Sequence, residues 1–244
     1  MTPYYQDETT TLYCADNRVV LPVLEDKSVD HAFTDPPYDE KTHEGARTNI
    51  STKLIDFDCI TLPDLRHAFD HLGRITRRWV ISFMDWRHIY HLEQEPPAGL
   101  RFVRFGMWRK PNGVPQFTGD RPSTGWEGIA ILHTLGGRMI WNGGGKHGVW
   151  ECPKVHGLHR TQKPVDLVRE LIADFTNEGE TILDAYMGSG TTGVACVMSR
   201  RKFVGIERRE EDCERAKARI LRAKGIPHDA PKSIRRQIET PLFL

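Results

Sequence analysis

Along this chain, short apolar runs alternate with stretches of helical periodicity, and that alternation predicts an α/β architecture. Residues 10–14, 29–34, 79–83, 101–108, 128–133, 181–184 and 202–206 are runs of strand length. Between them, Leu62, Leu65, Ala68, Phe69, Leu72 and Ile75 recur at the spacing of one helical face, and Pro63 suits a first turn. Pro164 opens a second amphipathic helix with Val165, Leu167, Val168, Leu171, Ile172 and Phe175 as its apolar face. Residues 191–199 predict a third helix and residues 210–223 a charged fourth. A loop rich in Pro, Gly and Asn separates the strands ending at Trp108 and starting at Gly128. Residues 135–158 are polar and glycine-rich, and the tail from Pro227 to Leu244 is expected to be irregular.

Composition narrows the class. The 244 residues are enough for a single domain with a large core. No apolar run is long enough to span a membrane, and the N-terminus lacks the basic-then-apolar pattern of an export signal. A cytoplasmic, nucleoid-associated location is therefore expected. Cys14, Cys59, Cys152, Cys196 and Cys213 form no close pair, so neither a zinc site nor a disulfide framework is predicted. Among eleven histidines, His67 and His71 share a helical turn, but no Glu joins them in a zinc-protease pattern, and no metal is expected. The net charge of +1 means that any affinity for nucleic acid must come from local basic patches.

Two motifs carry the chemistry. Late in the chain, an apolar run ends at Asp184 and leads into Ala185-Tyr186-Met187-Gly188-Ser189-Gly190-Thr191-Thr192-Gly193 and a helix. Strand, glycine turn and helix form the mononucleotide-binding unit of doubly wound folds: glycines admit a close ligand, and the helix N-terminus offers free N–H groups. About twenty residues beyond such a turn, an acidic residue can accept the ribose hydroxyls, and Glu207 ends the next strand. Gly188, Gly190 and Gly193 also satisfy Gly-x-Gly-x-x-Gly, so a nicotinamide oxidoreductase competes with other nucleotide enzymes. The bland alternative is that Gly188 and Gly190 serve helix–strand packing.

Early in the chain, another apolar run ends at Asp35-Pro36-Pro37-Tyr38. The exocyclic amine of a base is a poor nucleophile because its lone pair is delocalised into the ring. Two acceptors on its N–H bonds favour a more tetrahedral nitrogen. The Asp35 carboxylate and the Pro36 carbonyl can supply them as preorganised partners for the charge that develops in a transition state. Pro36 and Pro37 fix φ and remove competing donors. Tyr38 can stack on a base held out of the duplex. The competing reading is a stiff turn after a strand.

In this order, the two motifs resemble those of the permuted, beta-class DNA amino-methyltransferases. Further matching segments are Leu12-Tyr13-Cys14-Ala15-Asp16, Gly106-Met107-Trp108-Arg109-Lys110-Pro111-Asn112, His159-Arg160-Thr161-Gln162-Lys163-Pro164 and Val204-Gly205-Ile206-Glu207. The resemblance implies a Rossmann-like class I methyltransferase fold, circularly permuted, with a mostly parallel doubly wound sheet that includes an antiparallel strand. The chain would begin at the third strand of the standard sheet and end after the helix following the second. It also implies S-adenosylmethionine as cofactor, held by Asp16, Thr161, Gln162, Lys163, Asp184, Tyr186, Gly188, Ser189, Gly190, Thr191, Thr192 and Glu207. Catalysis falls to Asp35, Pro36, Pro37 and Tyr38. The chain departs from the family pattern at Ala185, where Pro is usual, at Tyr186, where Phe is common, at Arg160, where Pro usually follows the His, and at Asp39, where Asn or Gly is frequent.

The implied partner is double-stranded DNA, with a homodimer also considered. One domain over residues 1–244, with a short target-recognition insertion at about 135–158, is expected. Recognition is shared with residues 39–53 and 111–125. His43, Arg47, Asn112, Arg121, Asn142 and Lys146 are the candidate DNA contacts, being residue types that read base edges or phosphates. The expected reaction is methylation of the adenine N6 amino group after base flipping. N4 methylation of cytosine is the near alternative, and a methyltransferase fold kept only for DNA binding is a third.

Overall fold

The computed structural model describes residues 1–38, 59–113, 115–155 and 162–225. Their nine strands form one sheet: β1 (Tyr5–Gln6), β2 (Thr10–Cys14), β3 (His31–Thr34), β4 (Trp79–Met84), β5 (Leu100–Arg109), β6 (Trp126–Thr134), β7 (Val149–Glu151), β8 (Thr181–Asp184) and β9 (Lys202–Glu207). Their spatial order is β1-β2-β9-β8-β3-β4-β6-β5-β7. Strands β2, β9, β8, β3 and β4 run parallel, and β6 pairs antiparallel with both β4 and β5. The last two strands in sequence therefore sit between β2 and β3, as the permuted order requires.

Helices cover both faces. Helices α4 (Val165–Phe175), α5 (Thr191–Met198) and α6 (Glu210–Ala223) bury Leu167, Leu171, Phe175, Val194 and Ile220 on one face, against Trp79, Ile81, Phe83, Ile129 and Ile131. Helices α1 (Asn17–Val20), α2 (Leu62–Ile75) and α3 (Trp86–Gln94) bury Val20, Leu65, Phe69, Leu72, Ile89 and Leu92 on the other, with Val80, Met84, Ala130 and Leu132. Alternate residues of β4 and β6 thus face opposite cores, the two-residue period of an extended strand. None of these helices is long and apolar enough to cross a membrane.

The departures from the sequence reading have local causes. Strand β3 starts at His31, because Val29 instead bridges to Thr76 at the end of α2. A register shift between Phe102 and Arg104 breaks the exposure rhythm of β5. Helix α3 was not expected, since its sequence is largely polar; Asp85 caps it by accepting from the amides of Arg87 and His88. Strand β7 lies inside the stretch expected to be a glycine-rich loop, and its Trp150 is fully buried. The tail from Pro227 lies outside the described residues.

Candidate functional site

Strands β3 and β8 are parallel neighbours, with Ala32 opposite Leu183. The two motifs therefore leave the sheet side by side at its C-terminal edge, where doubly wound folds place their ligands. Thr34 Oγ donates to Asp184 Oδ1 at 3.1 Å across 150 residues of sequence. One cavity of about 690 Å³ is lined both by Asp35, Pro36, Pro37 and Tyr38 and by Asp184, Tyr186, Gly188, Ser189, Thr191, Thr192 and Glu207. Asp16, Gln162 and Lys163 line it too. Thr161 lies outside the described residues.

The glycine turn divides its labour. Gly188 has φ +47°, and a Cβ built there meets no atom within 4 Å. Gly190 has φ +80°, but its Cβ would stand 2.8 Å from the Cβ and 2.9 Å from the Cα of Ala216 on α6. The packing reading therefore holds for Gly190, which is the N-cap of α5, while Gly188 faces the cavity. Arg219 on α6 braces the turn from behind, donating to the Ser189 carbonyl at 2.6 Å and to its hydroxyl at 2.8 Å. Asp184 is spent on the same turn: it accepts from Thr34, from the Tyr186 amide at 3.0 Å and from Thr192 Oγ at 2.6 Å. Burial pushes its carboxyl up to about 7 despite those bonds.

Glu207 accepts from the Gly188 amide at 3.1 Å and the Arg209 amide at 2.9 Å. A carboxylate has about four lone-pair sites, so these bonds do not exhaust its capacity to accept from a diol. Burial raises its pKa above the ordinary range. Asp16 caps α1 and is paired with the Arg18 guanidinium at 2.7 Å.

Asp35 stands in a charge cluster. Lys163 Nζ donates to Asp35 Oδ2 at 2.5 Å and lies 3.3 Å from Glu127 Oε2. Tyr38 donates its hydroxyl to Glu127 Oε2 at 2.9 Å, and Lys110 donates to Glu127 Oε1 at 2.5 Å. Asp35 Oδ1 is buried and has no hydrogen-bond partner among the described residues. Burial raises the Asp35 pKa, and Lys163 only partly offsets it. Burial disfavours the Lys163 ammonium, yet Asp35 and Glu127 together hold its pKa above the usual value. Burial opposes the charge on Glu127 too, but Lys163 and Lys110 outweigh it and hold the carboxyl down at about 2. Sequence reasoning missed Glu127 and Lys110. The available signal was a lone carboxylate heading the otherwise apolar strand β6.

The candidate DNA contacts scatter. His43 and Arg47 lie outside the described residues. Asn112 clamps the Lys154 backbone, donating to its carbonyl at 2.8 Å and accepting from its amide at 2.6 Å. Arg121 pairs with Asp120 on an exposed loop. Two others are bonded within the fold. Asn142 donates Nδ2 to the carbonyls of Ala173 and Thr176, capping the end of α4 at the sheet edge opposite the cavity. Lys146 is held by Glu170 and Asp174, both at 2.6 Å, on the flank of α4. Both side chains are thus engaged with α4.

A family model described as DNA methylase (N6_N4_Mtase) matches residues 138–218. The chain is 28% identical to the Type II methyltransferase M2.LlaDCHI of Lactococcus lactis subsp. cremoris, over 89% of this chain and 91% of that protein. Among solved structures, an M1.HpyAVI–SAM complex superposes with a TM-score of 0.66 at 26% identity, covering 86% of this chain and 98% of that one. PvuII DNA methyltransferase (cytosine-N4-specific) shares the fold, with a TM-score of 0.70 at 13% identity over 98% of this chain and 95% of that one.

Proposed function

We propose, for a chain that belongs to the permuted DNA amino-methyltransferases, that its cavity transfers a methyl group from S-adenosylmethionine to the N6 amino group of adenine in DNA. The observation that carries this reading is the shared cavity: Asp35 and the Gly188–Glu207 cradle line the same space, and Asp35 Oδ1 has no hydrogen-bond partner among the described residues.

The residues present fit the cofactor. Gly188 leaves open space where a side chain would stand, and Glu207 keeps lone pairs for ribose hydroxyls. When bound, S-adenosylmethionine supplies an electrophilic methyl on a sulfonium. Asp35 Oδ1 is an acceptor for one N–H of the target amine, and Pro36, beside it in the cavity, offers a carbonyl for the other. Tyr38, whose pKa burial raises well above its ordinary value, stays neutral and presents its ring for stacking. A nicotinamide reading gives Asp35 and Tyr38 no task.

Adenine is preferred because Asp at the first motif position is commoner among the adenine enzymes of the resembled family. The same acceptors suit N4 of cytosine, so product analysis decides between the bases. DNA reading falls to the loop at residues 111–125 with Arg121, and to His43 and Arg47, within one domain. Asp35→Ala is expected to abolish methyl transfer while cofactor binding survives, and near-normal turnover in that variant overturns the mechanism. Mass spectrometry of digested, methylated DNA is expected to find N6-methyladenine; N4-methylcytosine as the sole product refutes the choice of base.

A further inference from the structure

Glu127 ties together the two side chains that the proposed reaction depends on. It accepts the Tyr38 hydroxyl directly, and it reaches Asp35 through the shared Lys163 ammonium. Its second oxygen takes Lys110, whose ammonium lies 4.6 Å from the Trp108 ring centroid. Asp35 and Glu127 against Lys110 and Lys163 make a cluster of zero net formal charge. Its members come from the segments after β3 and β5, from β6, and from the residues leading into α4.

We infer that Glu127 is a positioning residue for amino-methyl transfer, holding Lys163 on one oxygen of Asp35 so that the other faces the amine, and holding Tyr38 so that its ring offers the base a fixed face. This inference rests on the methyl-transfer reading of the cavity. A free carboxylate can rotate and present either oxygen. With Oδ2 capped by an ammonium, Oδ1 is the acceptor left over, and it is the oxygen found without a partner. Asp35 Oδ1 takes the proton that the amine nitrogen sheds as its lone pair forms the new N–C bond and the C–S pair withdraws onto sulfur. Sharing Lys163 with Glu127 spreads the ammonium field over two carboxylates, which keeps Asp35 a better acceptor than a private ion pair would.

The test compares Glu127→Gln with wild type, using the full chain and a DNA substrate. The Gln side chain keeps the shape and loses the charge. Loss of positioning predicts a fall in kcat on the order of 100-fold, with cofactor binding by calorimetry unchanged. The groups facing Asp35 are Lys163, Lys110, Glu127, Tyr38 and Asp184. Removing the Glu127 charge removes a repulsive neighbour, so the acid limb of kcat moves to lower pH. Glu127→Asp, which keeps the charge on a shorter stem, is expected to return the limb and recover part of kcat. With 2-aminopurine at the target position, Tyr38→Phe and Glu127→Gln should each weaken base capture, and the double variant should be no worse than the weaker single one. If Glu127→Gln fails to fold, Lys110→Met/Glu127→Gln keeps the cluster neutral and carries the same test. A wild type that methylates DNA beside a Glu127→Gln variant with normal kcat overturns the inference. So does a fall in kcat with an unmoved acid limb and normal base capture. A wild type that yields no methylated base instead overturns the underlying reading.

Discussion

Replacing Gly188 and Gly190 separately by Ala dissects the glycine turn into a ligand part and a packing part. Both positions have positive φ, so each replacement costs about 1–2 kcal/mol for holding an L-residue in the left-handed region. At Gly190 the new methyl also lands 2.8–2.9 Å from the Cβ and Cα of Ala216, close to the backbone of a packed helix that cannot simply swing away. Overpacking of that kind costs about 1–3 kcal/mol more, so Gly190→Ala should lose about 2–5 kcal/mol in all. At Gly188 nothing lies within 4 Å, and the stability loss should stop at the conformational cost. The methyl then stands where the cofactor must approach, and the same overpacking of about 1–3 kcal/mol falls on binding, about 5- to 150-fold in Kd. Urea denaturation without ligand gives the first quantity, and calorimetric titration with S-adenosylmethionine gives the second. Equal destabilisation by the two variants refutes the division of labour, as does wild-type cofactor affinity in Gly188→Ala.

Further expectations follow from the same geometry. The Asp184 carboxyl is raised in the folded state to about 7 from 3.8, so its contribution to stability is present below about pH 4 and is lost as pH rises through 7. Relative to Asp184→Asn, the ligand-free protein should lose about 4 kcal/mol over that window, an order-of-magnitude figure read from denaturation midpoints against pH; parallel profiles sink it. Asn142→Ala strands the carbonyls at the end of α4 and should cost about 1–3 kcal/mol of stability. Its DNA affinity in a gel-shift titration should match wild type, and weakened binding by a stably folded variant restores Asn142 as a contact.

Much of the architecture could be read directly. Strand β8 matches the expected bounds and helix α6 starts and ends about where expected, because an isolated apolar run and a charged amphipathic helix each carry their own period. The permuted sheet was anticipated through the family resemblance that the order of the two motifs carries. Helix α3 escaped notice because just two strongly apolar residues, Ile89 and Leu92, hold it to the core. Strand β7 escaped because it pairs in parallel with β5, and residue type alone does not announce a partner about forty positions away.

The site was legible in its parts and not in its wiring. The residues around Asp35 and around Gly188 announce themselves, since a Pro-Pro turn and a positive-φ glycine are local chemistry written in consecutive letters. Which residue answers Asp35 is a different kind of fact. Lys163 reaches it across 128 residues, and Glu127 reaches Tyr38 across 89. Conversely, Asn142 and Lys146 have the composition of DNA contacts, and their bonds to α4 are not announced by their residue types. Dihedral preference and periodicity act between neighbours in the chain, so they can be read along it. The pairing of buried charges depends on which strand ends the sheet brings together, and that is settled only when the whole core closes.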